Sequence, residues 1–292
     1  MFEAKLSSAG IIKKILEAIK DLLTDAQWDC RDSGLSLQVS RSLQNAFELP
    51  LCASPLNAMD SSHVALVALK LNADGFEVFR CDRSMSLGLN IANMTKIMKA
   101  ANVDDTFMIR AQDNSDTVVF VFEAPSGERF SQYSLKLMDL DTEHLGIPDT
   151  QYNCVVTLPS AEFSRICRDL LSVGESITIT CNKSGITFSS KGDLGTGNIR
   201  LLQSDVEGKE VSLDLREPCS VSFATKYLSN FAKAAPLSPT VQLSLSDDMP
   251  IAVEFKIESI GYIRYYLAPK IDEDPEFKTE PAEEEEEATM EN

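Results

Sequence analysis

The sequence contains few of the residues on which metal and thiol chemistry depend. Its 292 residues include two histidines, His63 and His144, and seven cysteines that form no Cys-x-x-Cys pair. A zinc site built from histidine and cysteine is therefore not expected. The odd number of cysteines fits a reducing compartment, the cytosol or the nucleus, where cysteine serves as a small apolar residue. We expect no metal and no cofactor.

Motifs for nucleotide binding and for membrane insertion are also lacking. The sequence has neither a Walker loop nor a Gly-x-Gly-x-x-Gly turn, so nucleotide binding has no support from motifs. No apolar run approaches the length of a membrane span, and no cleavable signal opens the sequence. With 43% apolar residues, the chain can bury the cores of two domains of ordinary size.

A catalytic triad is not supported by the sequence either. Asp60, Ser61, Ser62 and His63 are the residue types of a hydrolase triad. Neighbours this close in sequence rarely reach triad geometry, and no Gly-x-Ser-x-Gly turn is present. His144 follows acidic residues and is expected to be solvated. We therefore expect no catalytic residues and no enzyme activity.

Negative charge is abundant, and much of it lies at one end of the sequence. The formal net charge is −18. Residues 272–292 carry eleven acidic residues against a single lysine, Lys278, and few apolar residues. This composition predicts a disordered acidic tail. The rest of the chain remains acidic without this tail.

Scarce positive charge is collected on four segments with helical periodicity. The pairs are Lys13 and Lys14 with Lys20, then Lys96 with Lys99, Arg165 with Arg168, and Lys226 with Lys233. Charged residues on a helix usually form a solvated face. Four such pairs in matching places favour instead a surface that meets a polyanion, because an acidic protein otherwise repels one.

The places match because the sequence contains an internal repeat. Residues 30–37 recur as residues 181–188, and the helix predicted from about 8 to 22 recurs from about 160 to 171. Thr95-Lys96 is matched to Thr225-Lys226, which implies about 20 additional residues in the first copy. The common order of these short matches predicts a duplication.

The additional residues are assigned to the segment 39–58. It contains Pro50 and Pro55 and shows no sustained period. Proline cannot donate to a central ladder of hydrogen bonds, so this segment is predicted to be a surface loop.

The remaining pattern predicts an α+β fold with two similar domains, each a sheet with two helices. Alternating β-branched residues predict strands at 64–71, 117–122, 176–181, 240–245 and 251–257. The first helix has its isoleucines and leucines along one stripe, which would pack on a sheet and leave its lysines outside. If several such units closed into a ring with the helices inside, the lumen would be positive.

Several motifs in order resemble one family. They are residues 59–64 (MDSSHV), 80–83 (RCDR), 137–148 (LMDLDTEHLGIP), 163–170 (FSRICRDL), 192–199 (GDLGTGNI) and 265–271 (YYLAPKI). The chain resembles the eukaryotic DNA sliding clamp family, proliferating cell nuclear antigen, over residues 1–38 and from 59 to about 271. The insertion 39–58 and a longer acidic tail depart from the family.

The resemblance implies a DNA-clamp fold and four segments of the chain. These are an N-terminal clamp domain at 1–136 with the insertion 39–58, a connector at 137–152, a C-terminal clamp domain at 153–271 and the tail at 272–292. It also implies a homotrimer closed through sheet edges, for which the candidate strands are about 128–136 and 194–202 and the candidate interface residue is Tyr133.

The resemblance further implies three sets of functional residues. Those expected to face DNA are Lys5, Lys13, Lys14, Lys20, Arg80, Arg83, Lys96, Lys99, Arg129, Arg165, Arg168, Lys226 and Lys233. Those expected to form a pocket for partner peptides are Met59, His63, Val64, Leu66, Leu145, Ile147, Pro148, Pro250, Tyr266, Ala268, Pro269, Lys270 and Ile271. Lys183, in a predicted turn, matches a position that the family modifies with ubiquitin or its relatives.

The function implied is that of a nuclear, homotrimeric processivity factor that encircles duplex DNA and serves replication, repair and translesion synthesis. Its partners would be DNA, replicative and translesion polymerases, the clamp loader, flap endonuclease and DNA ligase, bound through short hydrophobic and aromatic peptides and away from membranes. The alternative from a different class is an acidic interaction scaffold or histone-chaperone-like protein, which the tail alone would suit. Truncation after Ile271 separates them, because a chaperone would lose binding and a clamp would keep its ring.

Overall fold

A computed structural model describes residues 1–41, 65–113, 115–140, 151–247 and 249–270. In the first half these ranges contain β1 (Phe2–Leu6), α1 (Ala9–Ile19), β2 (Asp25–Arg31), β3 (Gly34–Arg41), β4 (Ala65–Asn72), β5 (Val78–Cys81), β6 (Met85–Asn90), α2 (Ile91–Met98), β7 (Thr106–Ala111), β8 (Thr117–Glu123) and β9 (Phe130–Lys136). In the second half they contain β10 (Cys154–Pro159), α3 (Ser160–Leu171), β11 (Ser176–Asn182), β12 (Gly185–Gly192), β13 (Gly195–Leu201), β14 (Ser212–Leu215), β15 (Cys219–Ala224), α4 (Thr225–Phe231), β16 (Thr240–Leu245), β17 (Ile251–Ile257) and β18 (Gly261–Leu267). Two 3₁₀ helices, Ala73–Gly75 and Ala232–Leu237, complete the set.

The two halves contain the same strands and α-helices in the same order, which confirms the predicted duplication. The buried stripe of α1 recurs in α3. It consists of Ala9, Ile12, Ile15, Leu16 and Ile19 in α1, and of Ser160, Phe163, Ile166, Cys167 and Leu170 in α3. The five predicted strands are also present, although residue 64 lies outside the described residues.

One predicted equivalence between the copies is wrong. The strands before α2 and α4 pair alike with β2 and β11, so Ile91 corresponds to Thr225 and Thr95 corresponds to Ser229. The match of Thr95-Lys96 to Thr225-Lys226 was therefore displaced by about one helical turn. The second copy has a longer connection between β13 and β15, and two short Thr-Lys sequences could not reveal it.

The predicted loop at 39–58 also needs a correction at its start. Val39, Ser40 and Arg41 continue β3 and pair with Val67, Leu66 and Ala65 of β4. A β-branched residue after the alternating strand 34–38 extends its period, so the strand runs past the point where the sequence departs from the family pattern. Residues 42–58 lie outside the described residues, as do Asn114, 59–64, 141–150, Asp248 and 271–292.

Three antiparallel sheets carry the two halves. Their strand orders are β5-β1-β7-β8-β9, β14-β10-β16-β17-β18-β4-β3-β2-β6 and β13-β12-β11-β15. The nine-stranded sheet runs through both halves, because β18 pairs with β4. We call this pairing the internal junction; in it Tyr265 lies opposite Val67 and Tyr266 opposite Leu66.

The internal junction is closed by aromatic packing as well as by strand pairing. The Tyr265 ring is buried and stacks on Phe231 at 4.6 Å between ring centroids. Its hydroxyl donates to the carbonyl oxygen of Ala18 in α1 at 3.3 Å. A residue of the second half therefore lies beneath a helix of the first half, and the two halves share one core.

A glycine in the repeated turn explains why the motif at 30–37 recurs at 181–188. Gly34 and Gly185 have φ angles of +142° and +126°. A Cβ atom at these positions would lie 2.1 Å from the Leu71 carbonyl oxygen and 2.2 Å from the Leu201 carbonyl oxygen. Both the backbone conformation and the close approach of the next strand therefore require glycine.

The helices of both halves form one connected layer. α1 contacts α2 and the 3₁₀ helix Ala232–Leu237, which in turn contacts α3, and α3 contacts α4. The side chain of Ser8 caps α1 by accepting from the amide of Gly10 at 3.1 Å. α1 ends at Ile19, earlier than predicted, because Leu22 and Leu23 turn inward and are buried.

Candidate nucleic-acid interface and docking surface

The outer side of the helix layer carries most of the predicted cationic residues. Lys14, Lys20, Lys96, Lys99, Arg165, Arg168 and Lys226 are exposed on α1 to α4 or at their ends, and Lys233 is exposed on the second 3₁₀ helix. The same helices bury their apolar stripes, so amphipathic periodicity decides which way the cations point. The structure therefore brings the basic pairs of all four helices to one layer.

Two of these cations are held by carboxylates on or near the same helix layer. Lys20 binds Glu17 at 2.6 Å, and this hydrogen bond is the main reason that the pKa of Lys20 is raised. Arg165 lies 3.7 Å from Asp169 one turn later. Exposed ion pairs of this kind contribute little to stability, so these cations can leave their carboxylates and bind phosphates instead.

A third pair crosses the internal junction. Lys233 of the second half contacts Asp21 of the first half at 2.5 Å and also donates to the side-chain oxygen of Asn230 at 2.8 Å. Lys99 is the equivalent of Lys233 in the first half, and within the described ranges no carboxylate pairs with it.

Other predicted cations are tied to the backbone beside α2. The ammonium group of Lys13 is partly buried and donates to the carbonyl oxygen of Ala101. Arg129 donates to the carbonyl oxygen of Ala100 at 2.8 Å. Both side chains thus lie at the end of α2, where the last carbonyl groups of a helix attract positive charge.

Lys5 and Arg80 require a correction, because they do not share the face of the helix cations. In β1, Phe2, Ala4 and Leu6 are buried, so Lys5 projects from the other side of the sheet, where it pairs with Glu77 at 3.3 Å. Arg80 lies opposite Glu3 on that same side and binds Asp82 at 2.8 Å. The alternation in β1 was visible in the sequence and could have revealed this. Arg83 is exposed in the turn after β5.

Only part of the predicted docking pocket lies within the described residues. Leu66 and Tyr266 face each other across the internal junction and are almost fully buried, and Pro250 is buried at the start of β17. Ala268 and Pro269 are half-buried where the chain leaves β18. Met59, His63, Val64, Leu145, Ile147, Pro148 and Ile271 lie outside the described residues, as do Asp60, Ser61, Ser62 and His144.

Beneath this surface lies a polar network that the sequence did not reveal. Arg264 donates to Glu254 at 2.7 Å and to the Tyr266 hydroxyl at 3.1 Å, and its guanidinium lies 4.9 Å from the centre of the Tyr262 ring. Tyr152 donates to the Pro250 carbonyl oxygen at 3.4 Å, and burial raises the pKa of Tyr152 to about 12. Strand pairing brings these residues together, so no local motif indicates the network.

Lys270 fastens the end of the described chain to the four-stranded sheet. Its amide donates to the Ser222 carbonyl oxygen at 2.8 Å, and its ammonium donates to the Ser176 hydroxyl at 2.5 Å. Lys270 is half-buried, and its side chain points to this sheet rather than into open solvent.

Two sheet edges carry exposed apolar residues. β9 ends the five-stranded sheet and β13 ends the four-stranded sheet, close to the edge strands predicted at 128–136 and 194–202. Phe130 on β9 is 63% exposed, and Leu194 and Leu202 beside β13 are 87% and 59% exposed. Tyr133 is half-buried against Phe122 at 5.9 Å. We call β9 and β13 the open edges.

Lys183 lies where the sequence predicted, in the exposed turn between β11 and β12. The turn is fixed by the Asn182 side chain, which accepts from the amide of Ser184 at 2.9 Å.

Searches of the described residues for a metal site and for a membrane span gave no candidate. In those ranges, no group of three histidine, cysteine, aspartate or glutamate side chains is arranged to hold a metal ion. None of their helices has the length and apolar character needed to cross a membrane.

Comparison with known protein families gives two matches. Residues 146–270 match the model for the C-terminal domain of proliferating cell nuclear antigen. Residues 1–47 and 46–144 match the model for the N-terminal domain of the same antigen in two pieces. The pieces meet inside the predicted insertion 39–58, and the two models together span almost all of the described residues.

Proposed function

This chain belongs to the proliferating cell nuclear antigen family of sliding clamps, and we propose that it works as a homotrimeric ring around duplex DNA. The family supports roles in DNA replication, DNA binding and polymerase processivity, together with self-association. Its clamps are scaffolds without catalytic activity, and we propose that this chain likewise catalyses no reaction.

The observation that carries the proposed ring is the internal junction. There β18 and β4 pair antiparallel and join two similar units into one sheet. The repeat makes β9 the equivalent of β18 and β13 the equivalent of β4, and both are open edges of the described sheets. A second copy can therefore repeat between chains the pairing that already exists within one chain.

The pairing between chains can be specified residue by residue. The ladder registers make Tyr133 the equivalent of Tyr265, and Gly197 the equivalent of Val67. Transfer of the internal register then puts Tyr133 opposite Gly197 of the neighbouring protomer. An aromatic ring opposite a glycine can pack closely on the strand, and the exposed apolar residues of both edges would be covered.

Such pairing is head-to-tail, because each chain offers two different edges. Contacts of this kind form a ring when the rotation between copies closes. We propose closure after three chains, which gives six similar units with all helices inside. Intact chain at micromolar concentration should therefore have the solution mass of a trimer by light scattering. A monomeric mass would contradict the proposal.

The helix layer supports binding of duplex DNA without sequence preference. Lysine and arginine contacts to phosphates carry affinity but no base information, and they weaken steeply with salt. We propose that a separate ATP-driven loader puts the ring on DNA, since the acidic outer surface opposes direct approach.

The surface around the internal junction supports peptide docking. The half-buried residues Ala268 and Pro269 offer apolar surface beside the chain end, while Tyr266 and Pro250 are buried and Tyr266 accepts a hydrogen bond from Arg264. We propose that short hydrophobic and aromatic peptides of replicative and translesion polymerases, clamp loader, flap endonuclease and DNA ligase bind here. Nuclear localisation and ubiquitin attachment at Lys183 belong to the same proposal.

A further inference from the structure

Three cysteines meet in the core of the second half. Cys181 on β11 lies directly opposite Cys219 on β15 in the ladder, and Cys154 begins β10 of the neighbouring sheet. All three side chains are buried and reduced. The three thiols are close enough to change one another's pKa. They do not form a metal site within the described residues.

The backbone already holds one pair at a suitable separation for a disulfide. Residues directly opposite each other in an antiparallel ladder have Cα atoms roughly 4.5–5.5 Å apart. Disulfides form across Cα separations of about 4.4–6.8 Å. Cys181 and Cys219 therefore need side-chain rotation rather than movement of the strands.

The three thiols differ in acidity. Interaction with the thiols of Cys154 and Cys181 lowers the pKa of the Cys219 thiol. The pKa of Cys181 is raised by its thiol contacts with Cys154 and Cys219 and by burial. Cys167 is a useful contrast, because burial alone raises its pKa. A thiolate reacts with oxidants much faster than a thiol.

Cys219 is also the thiol nearest to a route to solvent. It is the first residue of β15, an edge strand of the four-stranded sheet, and it follows the exposed Pro218. The next residue, Ser220, is held by a hydrogen bond from its amide to Asp247 at 3.1 Å. Fraying of this strand end would expose the Cys219 sulfur without unfolding the domain, because edge ends open at low free energy.

We propose that Cys219 and Cys181 form a site of reversible oxidation by small hydroperoxides. Cys154, the third thiol of the cluster, favours the thiolate form of Cys219. The Cys219 thiolate attacks one peroxide oxygen, so that a sulfur–oxygen bond forms while the oxygen–oxygen bond breaks. The other oxygen takes up a proton and leaves as water or an alcohol, and Cys219 becomes a sulfenic acid. The Cys181 sulfur then attacks the Cys219 sulfur, the sulfenic hydroxyl leaves as water with the Cys181 proton, and a cross-strand disulfide forms. A dithiol reductant reverses the step by exchange.

The test uses the full chain treated with hydrogen peroxide, followed by peptide mapping without reduction. The expected result is a linked pair of peptides that contain Cys181 and Cys219, lost again on treatment with dithiothreitol, while Cys167 stays a thiol. Cys219→Val removes one of the two sulfurs and should abolish the linked peptides, and Cys167→Ser, the matched control, should leave their rate of formation unchanged. Linkage of Cys181 to Cys154 instead, or oxidation confined to Cys81 and Cys52, would overturn the proposal.

A second variant separates chemistry from folding. Cys154→Ser keeps the opposed pair, so the same disulfide should form, several-fold more slowly because the interaction that favours the Cys219 thiolate is weakened. Each variant is used only if its solution mass equals that of the unaltered chain. Equal oxidation rates for the unaltered chain and Cys154→Ser would contradict the role given to Cys154.

Discussion

The internal junction and the open edges are built from equivalent strands of the repeat. β18 and β4 are paired with each other at the junction, whereas β9 and β13 each end a sheet. At the internal junction, Tyr265 is fully buried, stacked on Phe231 and bonded to Ala18. At the open edges, Tyr133 is half-buried and Phe130 is exposed. The difference shows which interactions a second copy would add, because every contact missing at the open edges is present at the internal junction.

The largest effect is expected from removing the aromatic ring at the internal junction. Tyr265→Ala deletes a fully buried ring and should lower the free energy of unfolding by about 4 kcal/mol. Urea denaturation of this variant measures the loss. Val103→Ala, a change at an exposed residue outside the junction, is the control and should stay within about 0.5 kcal/mol. A loss below about 1 kcal/mol for Tyr265→Ala would mean that the halves do not depend on this contact.

The equivalent change at the open edge should act on assembly instead. Tyr133→Ala removes a half-buried ring, so the protomer should stay folded while self-association weakens by about 2 kcal/mol, or roughly 30-fold. Light scattering over a dilution series measures the shift toward monomer. Val78→Ala changes an exposed apolar residue on β5, at the end of the five-stranded sheet opposite to β9, and should leave the mass unaltered. An intact trimer for Tyr133→Ala would contradict the transferred register.

The cations of the helix layer also differ between the two halves, because Lys233 is paired with Asp21 and its equivalent Lys99 has no such carboxylate within the described residues. Reversal of charge at Lys20, Lys99, Arg168 and Lys233 together should weaken duplex DNA binding at least about tenfold and reduce its salt dependence, with the trimer intact. Fluorescence anisotropy on a short duplex at several salt concentrations measures both. Among single changes, Lys99→Glu should weaken DNA binding more than Lys233→Glu, because Lys233 already pairs with Asp21 of the other half. Unchanged binding in the fourfold variant would mean that these faces are merely solvated.

The smallest effect concerns the segment between β3 and β4. Because Val39 to Arg41 belong to β3, the deletion should remove residues 42–57 and keep the ladder. A surface segment of this length costs modest loop-closure entropy, so the trimer should persist. Phe47, Leu49 and Leu51 are apolar and precede Met59 of the predicted pocket in the sequence. We expect them to shield that pocket, so affinity for a clamp-binding peptide should rise a few-fold on deletion. Calorimetry on the intact chain and on the deleted chain measures this change in peptide affinity. Equal affinities would mean that the segment does not shield the pocket, and loss of the trimer on deletion would mean that the segment is part of the fold.

The sequence predicted those features that depend on local periodicity. The strands and the amphipathic helices follow from alternation and from the buried stripes of α1 and α3. The duplication was predicted from repeated short motifs, and the two edge strands from the family resemblance. Hydrophobic periodicity is a local property, and burial enforces it in both copies.

Features that depend on strand pairing were missed. The position of Arg80 follows from its pairing with Glu3 of β1, and the contact of Arg264 with Glu254 follows from the pairing of β17 with β18. The pairing of Cys181 with Cys219 joins strands that are far apart in the sequence. Pairwise contacts between distant segments leave no spacing signal in a single sequence.

The burial of Tyr265 beneath α1 at the internal junction has a mechanical consequence for the proposed ring. Six joints of one design would surround the lumen, but three of them lie within a chain and share its core, while three are held by strand pairing and surface contacts alone. A force that parts the ring would therefore act at the joints between chains, because they alone can separate without unfolding a protomer. In the proposed ring, opening for DNA entry would therefore have three equivalent sites, and the joints within each chain would stay closed.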